Sequence, residues 1–557
     1  MSGAKACVEA LKREKVKVAF GIPGVAVLPI YDELRDSGIR HILARHEQCA
    51  AHMADGYARV SGKVGLCITT SGPGATNLVT GIATALMDSS SIVTITGQVP
   101  RSDVGRDAFQ EADITGVTTP ITKHNIQVTN ASEVPQAIRA AFYIASTGRP
   151  GPVLVDIPRD VQSENGEMNF SQMFNLPGYQ PPSKPHPVQV KKAAKLLEKG
   201  ERPVILAGGG VRIADASPEL LALAERLMSP VVTTFMGKGV FPENHPLSLG
   251  KIGIYGGAYS NRAICEADVI LAVGVRFADR ATGSIRKFAQ KAKIVHIDID
   301  PSEIGKIVKV DIPIVGDAKA TLRAISSSIK FEQRHRPSTW LKHLEEFKKS
   351  QEPKKNDTGA TMKPIRILKE LRKLLPNDTV VTIDVGQHQM WTAIHFDVYH
   401  SKSFISSGGL GTMGFGFPAA LGAKIAKPKG TIVNITGDGS FLMNQQELAT
   451  SVEENIPVIV IIFDNRTLGM VAQAQRILQG NRLFAIDMGR SPDFVKLAEA
   501  YGAQGIRAGS YGELGKAVRA ALKSEVTTVV DVTISPEENV VPLVLPGNGL
   551  DSLVWEC

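Results

Sequence analysis

Two stretches carry side chains whose types and spacing could do chemistry. In GTIVNITGDGSFLMN a run of buried-strand character ends in Gly437-Asp438-Gly439-Ser440, and a second such run, VIVIIF, ends in Asp464-Asn465. Asp438 and Asn465, 27 residues apart, therefore fall at the ends of two strands expected to be neighbours. A hard cation such as Mg²⁺ takes a few protein oxygens and completes its octahedron with phosphate oxygens. Glycines opening the next helix let its amides meet a diphosphate directly. The other stretch, ARHEQCAAHMADGYAR, places Glu47 at the head of a helical pattern with His46, Cys49 and His52 nearby. Zinc helices use ligands at i and i+4, whereas these histidines are six apart and point about 120° away from each other. An acidic residue near a helix N-terminus is also simply favoured by the helix dipole. What Glu47 is for depends on the far end of the chain.

The elements that position these residues can be read from the rest of the sequence. The 557 residues, 43% of them hydrophobic, suffice for three or four domains with large cores. Sixty-three Lys+Arg against 55 Asp+Glu leave +8 over the whole length, without a basic block, which argues against a nucleic-acid partner. Five scattered cysteines, none in a CxxC pair, read as reduced thiols. The N-terminus reads as a charged amphipathic helix, not a signal peptide, and no apolar run approaches a membrane span. These features predict a soluble, cytoplasmic protein without a membrane partner.

Two segments read as linkers, about 164–187, rich in proline and polar residues, and about 333–362, dominated by charge apart from a short helix at 339–348. Between them lie blocks in which β-branched runs alternate with helical patterns: VGLCITT, SIVTITG and GPVLVDIP, then RPVILAGG, DVILAVGV and KIVHIDID, then GTIVNITGD, IPVIVIIFDN and TTVVDVTI. Uninterrupted apolar strands followed by helices imply α/β domains with doubly wound parallel sheets, three of them: 1–165, 188–332 and 363–535, with a tail at 536–557. Ligands in such sheets collect at the carboxyl ends of the strands.

GDGS followed by about two dozen residues and an Asn resembles the thiamine-diphosphate motif. The likeness extends along nearly the whole chain to the acetolactate (acetohydroxyacid) synthase catalytic subunits, through GIPGVAVLPIYDEL, RHEQCAAHMADGYAR, SGPGATNLVTGIATA, ITKHN, GRPGPVLVDIPRDVQ, GVRFADRATG, HIDIDPSEIGK, GQHQMW, GLGTMGFGFPAALGA and TLGMV, all in family order. The resemblance implies a pyrimidine-binding first domain, a central FAD or nucleotide domain and a diphosphate-binding third domain. It implies thiamine diphosphate and Mg²⁺ as cofactors and FAD, without a redox part, as a third. Glu47 resembles the carboxyl group that holds N1′ of the pyrimidine, so that the 4′-amino group can act as base toward the thiazolium C2. Because the two cofactor-binding halves resemble contributions from different subunits, a homodimer or dimer of dimers is implied, with room for a small regulatory subunit.

Position by position, Gly411 resembles the carbonyl acceptor for the 4′-amino group, and Met413 the bulky residue that bends the cofactor into a V. Gln387, His388, Gly439, Ser440, Asn465 and Met470 match cofactor contacts, and Asp438, Asn465 and the Thr467 carbonyl the metal ligands. On the substrate side Val25, Phe109, Gln110, Lys123, Arg280 and Ala474 match positions around the reacting carbon and acceptor. Gly208, Gly209, Arg212, Gly274, Arg276, Asp298 and Asp317 match flavin-contacting segments. The implied reaction decarboxylates pyruvate and joins the hydroxyethyl unit, as a carbanion, to pyruvate or 2-oxobutyrate, in branched-chain amino-acid biosynthesis. A flavin-linked pyruvate oxidase or a 2-oxo acid decarboxylase on the same scaffold is the alternative. Two positions depart from the family: PGGA reads Pro23-Gly24-Val25-Ala26, and GMVxQW reads Gly469 to Ala474, with Ala474 in place of the tryptophan that shapes the acceptor pocket.

Overall fold

The computed structural model describes residues 1–171, 176–331, 339–350 and 361–556. Most of the 333–362 linker reading, and part of the 164–187 one, lie outside them; the helix expected at 339–348 runs Thr339–Ser350. Three six-stranded parallel sheets organise the chain. The first holds β1 (Val18–Ile22), β2 (Arg40–Leu43), β3 (Gly65–Thr69), β4 (Ile92–Gln98), β5 (His124–Gln127) and β6 (Val153–Pro158), ordered β2-β1-β3-β4-β6-β5. The second holds β7 (Pro203–Ala207), β8 (Val231–Thr233), β9 (Ser248–Lys251), β10 (Val269–Val273), β11 (Lys293–Asp298) and β12 (Ile312–Val315), ordered β12-β11-β10-β7-β8-β9. The third holds β13 (Val380–Ile383), β14 (Phe404–Ser406), β15 (Ile432–Gly437), β16 (Ile459–Asp464), β17 (Gln504–Ala508) and β18 (Thr528–Thr533), ordered β14-β13-β15-β16-β18-β17.

The first and third sheets therefore share one topology, and the strand order reverses between β1 and β3 in one and between β13 and β15 in the other. In the second the reversal lies between β7 and β10. These are the crevices where ligands of open α/β sheets bind. Every residue of β3, β4, β7, β10, β15 and β16 is buried, as expected for strands covered by helices on both faces.

The first and third units meet through the helices that follow their second strands, Glu47–Ser61 and Gly416–Ala426. The helices touch backbone to backbone: a Cβ on Gly56 would lie 2.2 Å from the Ala419 carbonyl oxygen, and one on Gly422 1.9 Å from that of Met53. Beside this seam the buried Arg59 guanidinium donates to both oxygens of Asp55 (2.6 and 2.7 Å), to Asp88 (3.1 Å) and to the Ser406 carbonyl (2.9 Å). Asp88 in turn accepts from the Gly408 and Gly409 amides of the third unit. The second unit is tied to the first by Arg149, which pairs with Asp300 at 3.3 Å and Glu303 at 2.8 Å. After the third sheet, the tail pairs Leu543–Val544 with Leu553–Val554 and returns to the second unit, where the Val544 amide donates to Ile254.

Candidate functional site

Beside the third sheet's crevice, the neighbouring strands β15 and β16 pair in parallel and end just before Asp438 and Asn465. Two short helices follow β15: one begins at Asp438 itself and ends at Asn444, and Glu447–Glu453 comes next. Starting at Asp438 puts that carboxylate in the first helical turn, where Oδ1 accepts from the Gly439 amide at 2.9 Å. Asp438 Oδ2 is buried without a hydrogen-bond partner among the described residues. Burial, with the Asp464 carboxylate adjacent, pushes Asp438 up to about 7. A cation at Oδ2 would remove that cost, so the residues fit a divalent metal. Asn465 Oδ1 accepts from the Thr467 amide. That turn holds Thr467 buried beside it.

The loop after β13 supplies the neighbours. Gln387 Oε1 and His388 Nε2 are buried without partners, and burial lowers the His388 imidazole to about 3. Gln387 Nε2 donates to Gln473 and to the Glu538 carbonyl, which leaves its oxygen aimed at the site. Only glycine fits at 437 and 469: a Cβ would meet His388 Nδ1 at 2.9 Å in one case and Gln387 Oε1 at 2.1 Å in the other. Ser440 Oγ donates to the Val385 carbonyl. A Cβ on Gly439 would lie 3.8 Å from Met413 Cε, so Met413 reaches over the glycine turn. Gly411, at φ +73°, makes the bend of that loop with no side chain over it. Orphaned acceptors, a glycine cradle and helix amides together fit a metal-bound diphosphate.

Glu47 opens its helix after β2, half-buried. Its Oε2 accepts from Asn77 Nδ2 at 2.9 Å, and a Cβ on Gly74 would lie 3.5 Å from Oε1. Gln110, at φ +60°, closes on Gly72 in the same loop. His46 Nδ1 caps the helix by accepting from Gln48, and His52 packs edge-on against Phe415; among the described residues no three His, Cys, Asp or Glu side chains are grouped to hold a metal. Val25 and Phe109 are 58% and 88% exposed, with nothing covering them among the described residues. Lys123 is engaged elsewhere: its amine donates to the Ile144 and Thr147 carbonyls and to the Tyr179 hydroxyl, at 2.5, 2.6 and 2.8 Å. Burial draws that amine down to about 8.

A cavity of about 1510 Å³ runs from the second sheet's crevice to the third unit. Gly209, Gly274, Arg276, Asp298 and Asp317 line one end, Arg280 and the tail residues 543–547 the wall, and Gly411, Met470 and Ala474 the other end. Gly208 and Gly274 approach so closely that a Cβ on Gly208 would lie 2.0 Å from the Gly274 oxygen. Arg212 is buried with Nε unpartnered, and burial beside Arg59 draws it down to about 10. Burial likewise raises Asp298 to about 6. A buried guanidinium whose Nε lacks an acceptor among the described residues, beside a glycine crevice, fits an anionic dinucleotide such as FAD.

Three family models match the chain. The N-terminal binding domain of thiamine pyrophosphate enzymes covers residues 1–117, their central domain 190–325, and their C-terminal binding domain 384–532. A probable acetolactate synthase large subunit of Methanocaldococcus jannaschii is 53% identical over 100% of this chain and 95% of its own length. The acetolactate synthase isozyme 3 large subunit of Escherichia coli is 43% identical over 99% and 98%. The acetolactate synthase large subunit of Corynebacterium glutamicum is 45% identical over 98% of this chain and 89% of its own length. The chain belongs to the acetolactate synthase large-subunit family. Membership accounts for three sheets in one chain, the outer two alike.

Sequence reasoning missed several positioning residues of this family site. Asp384, buried at the end of β13, accepts from the Gly414 and Gly416 amides at 2.8 and 3.1 Å and so shapes the Met413 loop. Glu447 accepts from the Arg45 and His46 amides at 2.9 and 3.1 Å, seating the helix that bears Glu47. Asn77 fixes the Glu47 carboxyl group. Asp384 follows a short strand and stands two residues before Gly386, a visible signal; the partners of Glu447 lie about 400 residues away, and no local pattern announces them.

Proposed function

We propose that this chain is the catalytic subunit of an acetolactate synthase: it decarboxylates pyruvate and joins the two-carbon unit to a second 2-oxo acid, giving 2-acetolactate or 2-aceto-2-hydroxybutyrate for branched-chain amino-acid synthesis. The carrying observation is that one chain holds both halves of a cofactor site, Glu47 in the first unit and the orphaned Asp438 with Asn465 in a third unit of the same topology. Bound thiamine diphosphate supplies a carbon nucleophile and an electron sink. Asp438, Asn465 and the Thr467 carbonyl would hold Mg²⁺; Gln387, His388, Gly439 and Ser440 would receive the diphosphate; Met413 and Gly411 would shape the cofactor's bend. Glu47 holds a proton at the pyrimidine N1′ and returns it through the cycle. Units 1–165, 188–332 and 363–535 serve as pyrimidine, flavin and diphosphate domains.

The bare Val25 and Phe109 face supports a homodimer in which each pyrimidine half meets its partner's diphosphate half, with Gln110, Lys123 and Arg280 around the substrates. Lys123 then has to leave its carbonyl acceptors to reach them. Arg212, Arg276 and the glycines at 208, 209 and 274 support FAD as a structural group. A small regulatory subunit and a cytoplasmic setting complete the reading; among the described residues no helix is long and apolar enough to cross a membrane. The test is product analysis with pyruvate alone and with pyruvate plus 2-oxobutyrate, thiamine diphosphate and Mg²⁺ present and FAD added or omitted. Acetohydroxy acids as main products support the reading. Acetaldehyde, or stoichiometric reduction of the flavin by pyruvate, would replace it with a decarboxylase or an oxidase.

A further inference from the structure

Lys251 ends β9, at the opposite edge of the second sheet from Asp298 on β11 and Asp317 after β12, and it lines the same cavity. It is 6% exposed. Its amine donates to the Tyr255 carbonyl, and among the described residues no carboxylate pairs with it. The neighbouring cation, Lys238, is already clamped by both oxygens of Glu243 at 2.7 and 2.6 Å, and Glu243 is further engaged by the Val398 amide. A buried ammonium with three donors and one backbone acceptor is therefore left with unused donors facing a cavity.

The position is held firmly. Asn261 exchanges two hydrogen bonds with Gly253, at 2.9 and 3.0 Å, and the Gly257 amide returns to the Lys251 carbonyl. Tyr255 then reaches across to the third unit, its hydroxyl 3.6 Å from Met470 Sδ. In a doubly wound sheet a dinucleotide lies across the strand-order reversal, one half over each set of strands. The acidic ends of β11 and β12 suit the ribose of the adenosine half. The other half then extends over β7, β8 and β9, toward Met470 and Lys251.

We propose that the Lys251 amine holds the flavin-ring half of the dinucleotide, donating to an electron-rich edge of the ring and making the bound flavin easier to reduce. This rests on the flavin reading of the cleft. Burial and Lys238 draw the amine down to about 7, so an acceptor at the amine also relieves an existing cost. A cation beside the pyrimidine edge of an isoalloxazine stabilises the negative charge that two-electron reduction places there.

The experiment uses the full chain stripped of flavin, with Lys251→Met, which keeps the side-chain volume, and Lys251→Arg, which keeps the charge. Binding of FAD and of ADP is titrated, and the bound flavin is reduced chemically against a reference dye. The expected result for Lys251→Met is about ten- to hundred-fold weaker FAD binding, unchanged ADP binding and a lower flavin potential, with Lys251→Arg nearer the wild type. Equal FAD affinity and equal potential in wild type and Lys251→Met would overturn the proposal while leaving the flavin reading intact. ADP binding lost together with FAD in Lys251→Met would show a merely structural lysine. No FAD binding to the wild type at all would remove the flavin reading itself, and this proposal with it.

Discussion

Glu47 and Asp438 lie on different units, and their substitutions should fail differently. Glu47→Gln keeps the bond to Asn77 and touches neither metal nor diphosphate ligands, so cofactor affinity should stay within a few-fold while turnover falls by about 10²–10⁴, as for a lost acid/base; near-normal turnover at saturating cofactor would remove Glu47 from this role. Asp438→Ala deletes the orphaned Oδ2, and thiamine diphosphate and Mg²⁺ should bind jointly weaker in a fluorescence titration. Unchanged affinity for both would move the metal elsewhere. Ala474 lines the cavity and offers no wall to an acceptor's extra methyl. Since burying a methylene is worth about 0.8 kcal/mol, Ala474→Trp should raise the acetohydroxybutyrate to acetolactate ratio several-fold when both 2-oxo acids compete. A ratio that the substitution leaves alone would show that acceptor choice is set by another side chain.

The helix Glu47–Ser61 depends on a carboxylate from far down the chain. Glu447 is buried and accepts from two backbone amides at its N-terminus and from Thr450 Oγ1 at 2.6 Å. Glu447→Ala leaves these donors unpaired and should cost about 1–3 kcal/mol in chemical denaturation, with a loss of turnover if the helix head shifts. A midpoint equal to the wild type would show that water replaces the carboxylate at no cost. Legibility followed the same division between local and distant. Central strands such as Ile459–Asp464 were readable because they are buried on every residue, and Asp438 and Asn465 because they punctuate such strands. Edge strands such as Arg40–Leu43 and His124–Gln127 are half polar, and their membership is decided by the neighbour they pair with. The break at Gln445–Gln446 carries no proline or glycine to mark it, and the engaged Lys123 amine depends on carbonyls of a helix end and on Tyr179.

Across the whole molecule the first and third units behave as one block. Arg59→Met would leave Asp55 and Asp88 buried without their cation and the Ser406 carbonyl without its donor, and should cost about 3–5 kcal/mol, read as a lowered midpoint of a single unfolding transition. Two separated transitions in the wild type would show that the units are not so joined. The Gly56 and Gly422 contacts give this block a mechanical character. Where backbone meets backbone, no layer of side chains can change rotamer to absorb sliding, and interlocked surfaces of this kind shift between discrete arrangements or not at all. Any motion that admits a dinucleotide or a 2-oxo acid to the cavity therefore falls to contacts that side chains mediate, such as Phe235 on Phe404 between the second and third units, and to the tail residues that line the cavity. The fused pair is the fixed jaw of the vice, and any yielding comes from contacts that a rotamer change can loosen.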